Sequence, residues 1–403
     1  MVKDIRKVAV IGGGTMGSGI GQLIAQKGLT VVVKETDSNR AEECRARVFK
    51  QLERISVNPQ LKPEAEVAKT HFSTTSSYDD LRGFDLVIEA VFEDLESKRS
   101  VFRELASLLP EEVVFTSNSS SLSIDEMALS SGRPDRFIGS HFFNPAPKTL
   151  LVELVRGKDT SDETFETVRR FIEVNLKRTT ILVKGCPGYL VNRILMPYAN
   201  EAVNLLTQTT LTIKQIDSRA KRFGWLMGPF ELIDYVGIDI AANVADILYA
   251  GYGERARPNA LMNRMIKLGR LGKKVGAGFY VGSDTSSFEE ILARECPERI
   301  GLDIEEGFCR IMAGLYNEAF LCLQEGIASS DVIETGAALG IMFPMALEGP
   351  LHYAQEKYGL ANLLADLKRF EARYGIRFKP APILEQFVAE GRRVFQANEE
   401  EEW

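Results

Sequence analysis

The stretch "KVAVIGGGTMGSGIGQLIAQKG" (residues 7–28) decides the fold class. A short apolar run, "KVAVI" (7–11), reads as a buried strand, and Gly12, Gly14 and Gly17 follow it at once. Behind the glycines a helical run opens, and a second β-rich run, "TVVVK", returns at 30–34. Glycines also cluster in ordinary turns. A Gly-x-Gly-x-x-Gly turn between a strand and a helix, inside a βαβ unit, is more specific and reads as a dinucleotide site. Gly12 permits the tight turn, Gly14 lets backbone approach a pyrophosphate, and Gly17 allows close helix–strand packing. Thr15 and Met16 sit between them at the helix N-terminus, where N–H groups and a partial positive charge suit phosphate.

Working outward, five further β-rich runs alternate with helical patterns: "DLVIEAV" (85–91), "VVFT" (113–116), "FIGSHFF" (137–143), "LLVELV" (150–155) and "TTILVK" (179–184). That alternation predicts a largely parallel sheet covered by helices, an α/β Rossmann-type domain. Past "GCPGY" (185–189) the apolar residues take helical spacing and strands become scarce. The expected layout is a dinucleotide-binding domain over 1–185 and an all-α domain over 186–285. A second all-α domain follows over 300–398, after linker-like stretches "VGSDTSS" and "CPERIGLD". The helical domains look like copies. "NRILMPYANEAVNLL" (192–206) aligns with "CRIMAGLYNEAFLCL" (309–323), matching Arg193 with Arg310 and Glu201 with Glu318. Chance likeness of two amphipathic helices is the other reading.

Composition narrows the classes. At 403 residues the chain exceeds one core. Its net charge of −7, with no basic cluster, argues against nucleic acid. No apolar stretch reaches bilayer-spanning length, so no membrane association is expected. Five scattered cysteines without Cys-x-x-Cys suggest reduced thiols and no metal, and the N-terminus lacks the features of a signal peptide. A cytoplasmic protein is expected. The closing "NEEEEW" (398–403) reads as a solvated tail.

Several polar residues stand where chemistry needs them. Glu35 ends the second strand, where a carboxylate accepts from ribose hydroxyls and repels a 2′-phosphate, favouring NAD; the plain alternative is an exposed strand-end glutamate. Arg40 nearby leaves room for some NADP tolerance. "VVFTSNSSSLSI" drops from a strand into Ser117, Asn118, Ser119, Ser120 and Ser121, and Ser123 with Glu126 can cap the next helix. His141 is one of three histidines, and Glu153 is a lone carboxylate in an apolar run. Both lie the same distance in sequence from Pro147 in the turn "NPAPK", so chain reversal would bring them together. A histidine on an apolar run is commonly a core residue held by backbone. Here the symmetry favours a proton-transfer dyad, an acid orienting a base. Asn192 opens the helical region; alone it reads as a helix cap.

With these residues placed, the sequence resembles an L-3-hydroxyacyl-CoA dehydrogenase. The resemblance rests on "VAVIGGGTMGSGI", "DLVIEAVFED", "SNSSSLSI", "GSHFFNPAP…LVELV", "CPGYLVNRIL", "GWLMGPFELIDYVGID" and "GKKVGAGFY", in family order. The remainder resembles the second helical copy in the dehydrogenase half of the multifunctional fatty-acid oxidation enzymes. A hydratase domain normally precedes that half; none is recognisable here, so the hydration step is expected to be missing.

The resemblance implies roles. His141 is the general base and Glu153 its partner. Ser120 and Asn192 hold the substrate oxygen, and Asn144 shapes the histidine and cofactor pocket. Glu93, Lys98 and Lys274 join Gly12, Gly14, Gly17, Glu35 and Ser120 in contacting NAD. Glu35 stands where the family commonly has aspartate, and Ser119 where it has threonine. The segment 50–66 falls where some members grip CoA, with Lys50, Arg54 and Lys62 as candidate phosphate contacts. Cys309 occupies the position of Asn192 in the second copy, which should therefore be silent.

The implied activity is NAD-dependent, reversible oxidation of (S)-3-hydroxyacyl-CoA to 3-oxoacyl-CoA. Two rivals are a non-catalytic NAD-binding scaffold and a dehydrogenase of a free β-hydroxy acid. The implied partner is the acyl-CoA; whether a separate enoyl-CoA hydratase associates is left open by the sequence. The chain is expected to be a monomer, if the second copy covers the helical dimer face, or otherwise a homodimer.

Overall fold

The computed structural model describes residues 4–395, so the acidic run at 398–403 lies outside the described residues. The chain divides into two compact units, Met1–Cys186 and Pro187–Trp403.

The first unit is built on eight strands: β1 (Lys7–Ile11), β2 (Thr30–Lys34), β3 (Phe72–Thr75), β4 (Leu86–Glu89), β5 (Val114–Ser117), β6 (Phe137–Phe142), β7 (Leu151–Arg156) and β8 (Thr179–Lys184). They form one sheet in the order β3-β2-β1-β4-β5-β6-β7-β8. Every neighbouring pair is parallel except β6 with β7. The central strands β4, β5 and β6 are buried along their whole length, which is why their sequences are continuous rather than alternating. At the β8 edge alternate residues are open to solvent.

Six helices accompany the sheet: α1 (Thr15–Gln26), α2 (Ser38–Ser56), α3 (Lys62–His71), α4 (Leu95–Leu108), α5 (Ile124–Ser130) and α6 (Asp162–Arg170). Asp37, Asp94, Ser123 and Ser161 cap α2, α4, α5 and α6 by accepting from backbone N–H groups three residues on. The order of strands reverses between β1 and β4, and a crevice opens at such a point beyond the strand C-termini.

The structure adds what the sequence reading omitted. Strand β3 and helix α3 fall in a stretch left unassigned, and β4 stops at Glu89 rather than running to 91. The expected reversal after β6 is present, and its antiparallel pairing with β7 makes the sheet mixed.

The second unit is helical: α7 (Val191–Gln208), α8 (Ile213–Phe223), α9 (Pro229–Val236), α10 (Ile238–Tyr252), α11 (Ala260–Lys267), α12 (Ser286–Glu295), α13 (Ile304–Gln324), α14 (Ser330–Gly340), α15 (Pro350–Tyr353), α16 (Leu360–Tyr374) and α17 (Pro382–Glu390). Helix α12 occupies part of the stretch read as linker. Helices α7 and α13, which carry the two similar segments, are buried over most of their surface. Arg193 of α7 donates from Nε to Glu318 of α13 at 2.6 Å, and Arg310 of α13 donates to Glu201 of α7. The pairing is reciprocal. No helix among the described residues is long and apolar enough to cross a membrane.

Two acids, the buried Asp217 and the half-buried Glu334, receive N-terminal N–H groups of helices in this unit. Asp217 accepts from Phe230 and Glu231 of α9 and from the Tyr280 hydroxyl. Glu334 accepts from His352 of α15 at 2.9 Å, but its Oε2 is buried with no hydrogen-bond partner. Burial pushes the Glu334 carboxyl up to about 8 from an ordinary 4.5. The folded chain therefore holds a proton that the unfolded chain releases, and this group's contribution to stability is lost as pH rises from 4.5 through about 8. Glu334→Gln should flatten that part of the pH–stability curve and be relatively more stable at alkaline pH. Thermal melts of both proteins across this range check it; parallel curves would contradict it.

Candidate active site

The glycine turn has the geometry its spacing demands. Gly12 has φ of +95°, and a Cβ there would lie 2.8 Å from the Ala90 carbonyl oxygen, so the β1 turn and the end of β4 touch through backbone. A Cβ on Gly17 would lie 1.8 Å from the Gly12 oxygen. Gly14 differs. It stands at the N-cap of α1, and a Cβ there would meet nothing within 4 Å, so the space before the helix N-terminus is open. Gly12, Gly14, Thr15, Met16 and Gly17 thus make a backbone cradle that fits a pyrophosphate.

Glu35 follows β2 and accepts from Gly13 N at 2.7 Å and Thr36 N at 3.1 Å. Its carboxylate sits beside the cradle and braces it. Arg47, which the sequence reading did not single out, donates to the Gly13 carbonyl at 2.8 Å. Lys50, Arg54 and Lys62 are exposed on α2 and α3.

At the ends of β4 and β5 lies a buried charge network. Glu89 is fully buried; it accepts from Lys98 Nζ at 2.6 Å, Ser117 Oγ at 2.5 Å and Val91 N at 2.7 Å. Burial raises its carboxyl above the ordinary range, against the opposing pull of Lys98 and the hydrogen bonds. Lys98, 1% exposed, also reaches Glu93 Oε2 at 3.3 Å. Oxygen Oε1 of Glu93 accepts from Ser119 Oγ at 2.5 Å, Ser120 N at 2.9 Å and Ser121 Oγ at 3.1 Å. Burial pushes Glu93 up, but Lys98 and the serine donors outweigh it, and its carboxyl falls below the usual range. Glu93, Lys98 and Ser120 therefore form one assembly that fixes the serine loop. Glu89 was missed in sequence, although a carboxylate within apolar "LVIE" is the same signal that drew attention to Glu153.

His141 and Glu153 face each other directly across the antiparallel β6–β7 register. Nδ1 of His141 lies 2.6 Å from Glu153 Oε2; the histidine is 7% exposed and Glu153 fully buried. Such a contact fixes the proton on Nδ1 and directs the lone pair to Nε2. The Phe143 ring centroid is 4.5 Å from that of the imidazole. Asn118, next to Ser119, accepts from Phe142 N at 2.8 Å and ties the serine loop to the histidine strand. Asn144 is exposed, in the turn after β6.

Asn192 and Lys274 belong to the helical unit. Asn192 is the second residue of α7, whose N-cap is Leu190, so the cap reading does not hold. Lys274 pairs with Asp239 at 2.6 Å. Cys309 Sγ lies 2.7 Å from the Tyr358 hydroxyl, and burial pushes its thiol up to about 11. Among the described residues no group of three or more His, Cys, Asp or Glu is placed to hold a metal.

A backbone cradle at the β1 turn and an imidazole–carboxylate pair stand on one sheet of the Rossmann type. Comparison with known proteins agrees. The model of the 3-hydroxyacyl-CoA dehydrogenase NAD binding domain matches residues 7–186, and that of the C-terminal domain matches twice, at 188–282 and 307–399. The chain belongs to the 3-hydroxyacyl-CoA dehydrogenase family.

A fatty acid oxidation complex subunit alpha from Shewanella sp. (strain MR-7) is 34% identical over 98% of this chain, which spans 57% of that relative's length. Among solved structures, 3-hydroxybutyryl-CoA dehydrogenase from Escherichia coli K12 has a TM-score of 0.82 at 26% identity, covering 96% of this chain and 99% of its own. The (S)-3-hydroxybutyryl-CoA dehydrogenase from Ralstonia eutropha has 0.65 at 38%, covering 70% and 100%.

Among the described residues Lys98 is the one cation paired with Glu89, so its removal leaves an uncompensated buried carboxylate. Lys98→Met should lower stability by about 3–5 kcal/mol in urea unfolding. A loss below roughly 1 kcal/mol, as for an exposed pair, would contradict this account.

Proposed function

We propose that the chain catalyses reversible oxidation of an (S)-3-hydroxyacyl-CoA to the 3-oxoacyl-CoA with NAD. The observation that carries this is the buried 2.6 Å contact between His141 and Glu153, set on an NAD-binding Rossmann sheet. NAD, held at the Gly12–Gly14–Gly17 turn, would supply the acceptor for the hydride that leaves C3 of the substrate. Nε2 of neutral His141 takes the hydroxyl proton as the carbonyl forms. Glu153 stabilises the resulting imidazolium and holds the ring in one orientation. Ser120, held by Glu93, donates to the substrate oxygen.

The roles of Asn192 toward that oxygen, and of Lys274 and Asn144 toward the cofactor pocket, rest on family resemblance. An uncharged ring is needed to accept that proton in the direction of oxidation. The reciprocal Arg–Glu pairing supports a monomer in which the two helical copies cover each other.

The test is NADH consumption with acetoacetyl-CoA against free acetoacetate. Turnover confined to the thioester is expected, and Glu153→Gln should lower kcat by roughly 10²–10⁴-fold. Turnover of acetoacetate alone, or of neither, would overturn the reading. Sedimentation should give a monomer; an obligate dimer joined through 186–280 would contradict the internal pairing.

A further inference from the structure

Strand β6 outruns its neighbour. The β5–β6 ladder ends where Ser117 faces Gly139, yet β6 continues through Ser140, His141 and Phe142, all of them buried. On one side β7 pairs with these three residues, Phe142 facing Val152. On the other side β5 has already ended. A buried N–H without an acceptor is costly, so a donor pointing that way needs a partner from outside the ladder.

Two side chains replace the missing rungs. Ser140 Oγ donates to Thr116 Oγ1 at 2.9 Å, and both residues are buried. The Phe142 N–H donates to Asn118 Oδ1 at 2.8 Å. Asn118 is anchored in turn, because its own N–H donates to the Glu89 carbonyl at 2.8 Å. His141 therefore sits between two residues that are each tied back to β5 or to the turn beyond it.

The second tie spans the candidate site. Ser120 follows Asn118 in the same turn, and its N–H is held by Glu93 at 2.9 Å. His141 precedes Phe142 and has Nδ1 on Glu153. The serine turn is braced against β4, the imidazole against β7, and the Asn118–Phe142 bond connects the two.

We propose that Asn118 is a positioning residue whose bond to Phe142 sets how far Ser120 stands from His141. The inference rests on the dehydrogenase reading, in which one substrate oxygen meets Ser120 Oγ and His141 Nε2 together. Such a geometry tolerates little displacement. Asn118 need not touch the substrate to matter. If it served only to satisfy one backbone group, its loss would cost stability and leave the imidazole as it was.

Two variants separate these roles once thermal melts show that they fold. Asn118→Leu keeps the size of the side chain and removes the acceptor, whereas Asn118→Asp keeps the acceptor. With acetoacetyl-CoA and NADH, Asn118→Leu should lower kcat by about tenfold to a hundredfold, as a displacement of about 1 Å can, with KM and NADH affinity little changed. Asn118→Asp, at its own pH optimum, should recover most of that loss. The imidazole gives a readout that needs no turnover. The chain has three histidines, so nuclear magnetic resonance of protein labelled in its histidine nitrogens resolves each ring, and His141→Gln assigns one of them. The Nδ1 proton shared with Glu153 should resonate far downfield in the parent chain and in Asn118→Asp. In Asn118→Leu it should broaden or move upfield. An unchanged signal and kcat in Asn118→Leu, or equal losses in both variants, would overturn the proposal. A parent chain that does not turn over acetoacetyl-CoA would overturn the dehydrogenase reading instead, and the imidazole signal alone would then decide whether Asn118 positions the ring.

Discussion

One strand pairing runs against the rest of the sheet, and the candidate chemistry depends on it. Parallel strands alone would send the chain away after β6, through a helix and back. The turn after Phe142 instead reverses it at once, and β7 returns antiparallel with Glu153 opposite His141. The carboxylate is fully buried, where an unpaired charge is costly, and the imidazole within hydrogen-bond reach offsets that cost. The same contact that makes Glu153 tolerable fixes the tautomer and orientation of His141. Structure and chemistry draw on one interaction.

A second buried network holds the facing loop. Glu89, Lys98 and Glu93 place two carboxylates and one ammonium beneath the serine turn, and Glu93 gathers the donors of Ser119, Ser120 and Ser121 on one oxygen. Asn118 then joins this loop to β6. Ser120 is positioned by Glu93, itself paired with the buried Lys98, so the loop keeps its shape without a long run of backbone pairing. Glycine supplies the remaining piece. The cradle at Gly12–Gly14–Gly17 brings backbone from β1, β4 and α1 so close that side chains at two of the three positions would collide with it.

Much of this was legible in sequence because periodicity and spacing carry physical content. Glycine spacing after an apolar run marks a phosphate turn, and a proline-bounded turn between His141 and Glu153 marks a reversal. Other features left no trace. Strand β3 is four residues, "FSTT", too short and too polar to show alternation. Helix α12 lies between stretches rich in glycine, serine and proline, and its apolar face is small. Arg47 acts on the glycine turn through a tertiary contact that no spacing encodes. The alignment of α7 with α13 suggested copies. That each arginine reaches across to the other copy's glutamate emerges only in three dimensions.

The dehydrogenase account stands or falls on the imidazole as proton acceptor. The most direct measurement is the single-turnover rate of NADH formation by His141→Gln with saturating (S)-3-hydroxybutyryl-CoA, once its fold and its NAD affinity are known to match the parent chain. The account predicts that NADH formation nearly disappears while NAD affinity is retained. A burst as fast as that of the parent would contradict it.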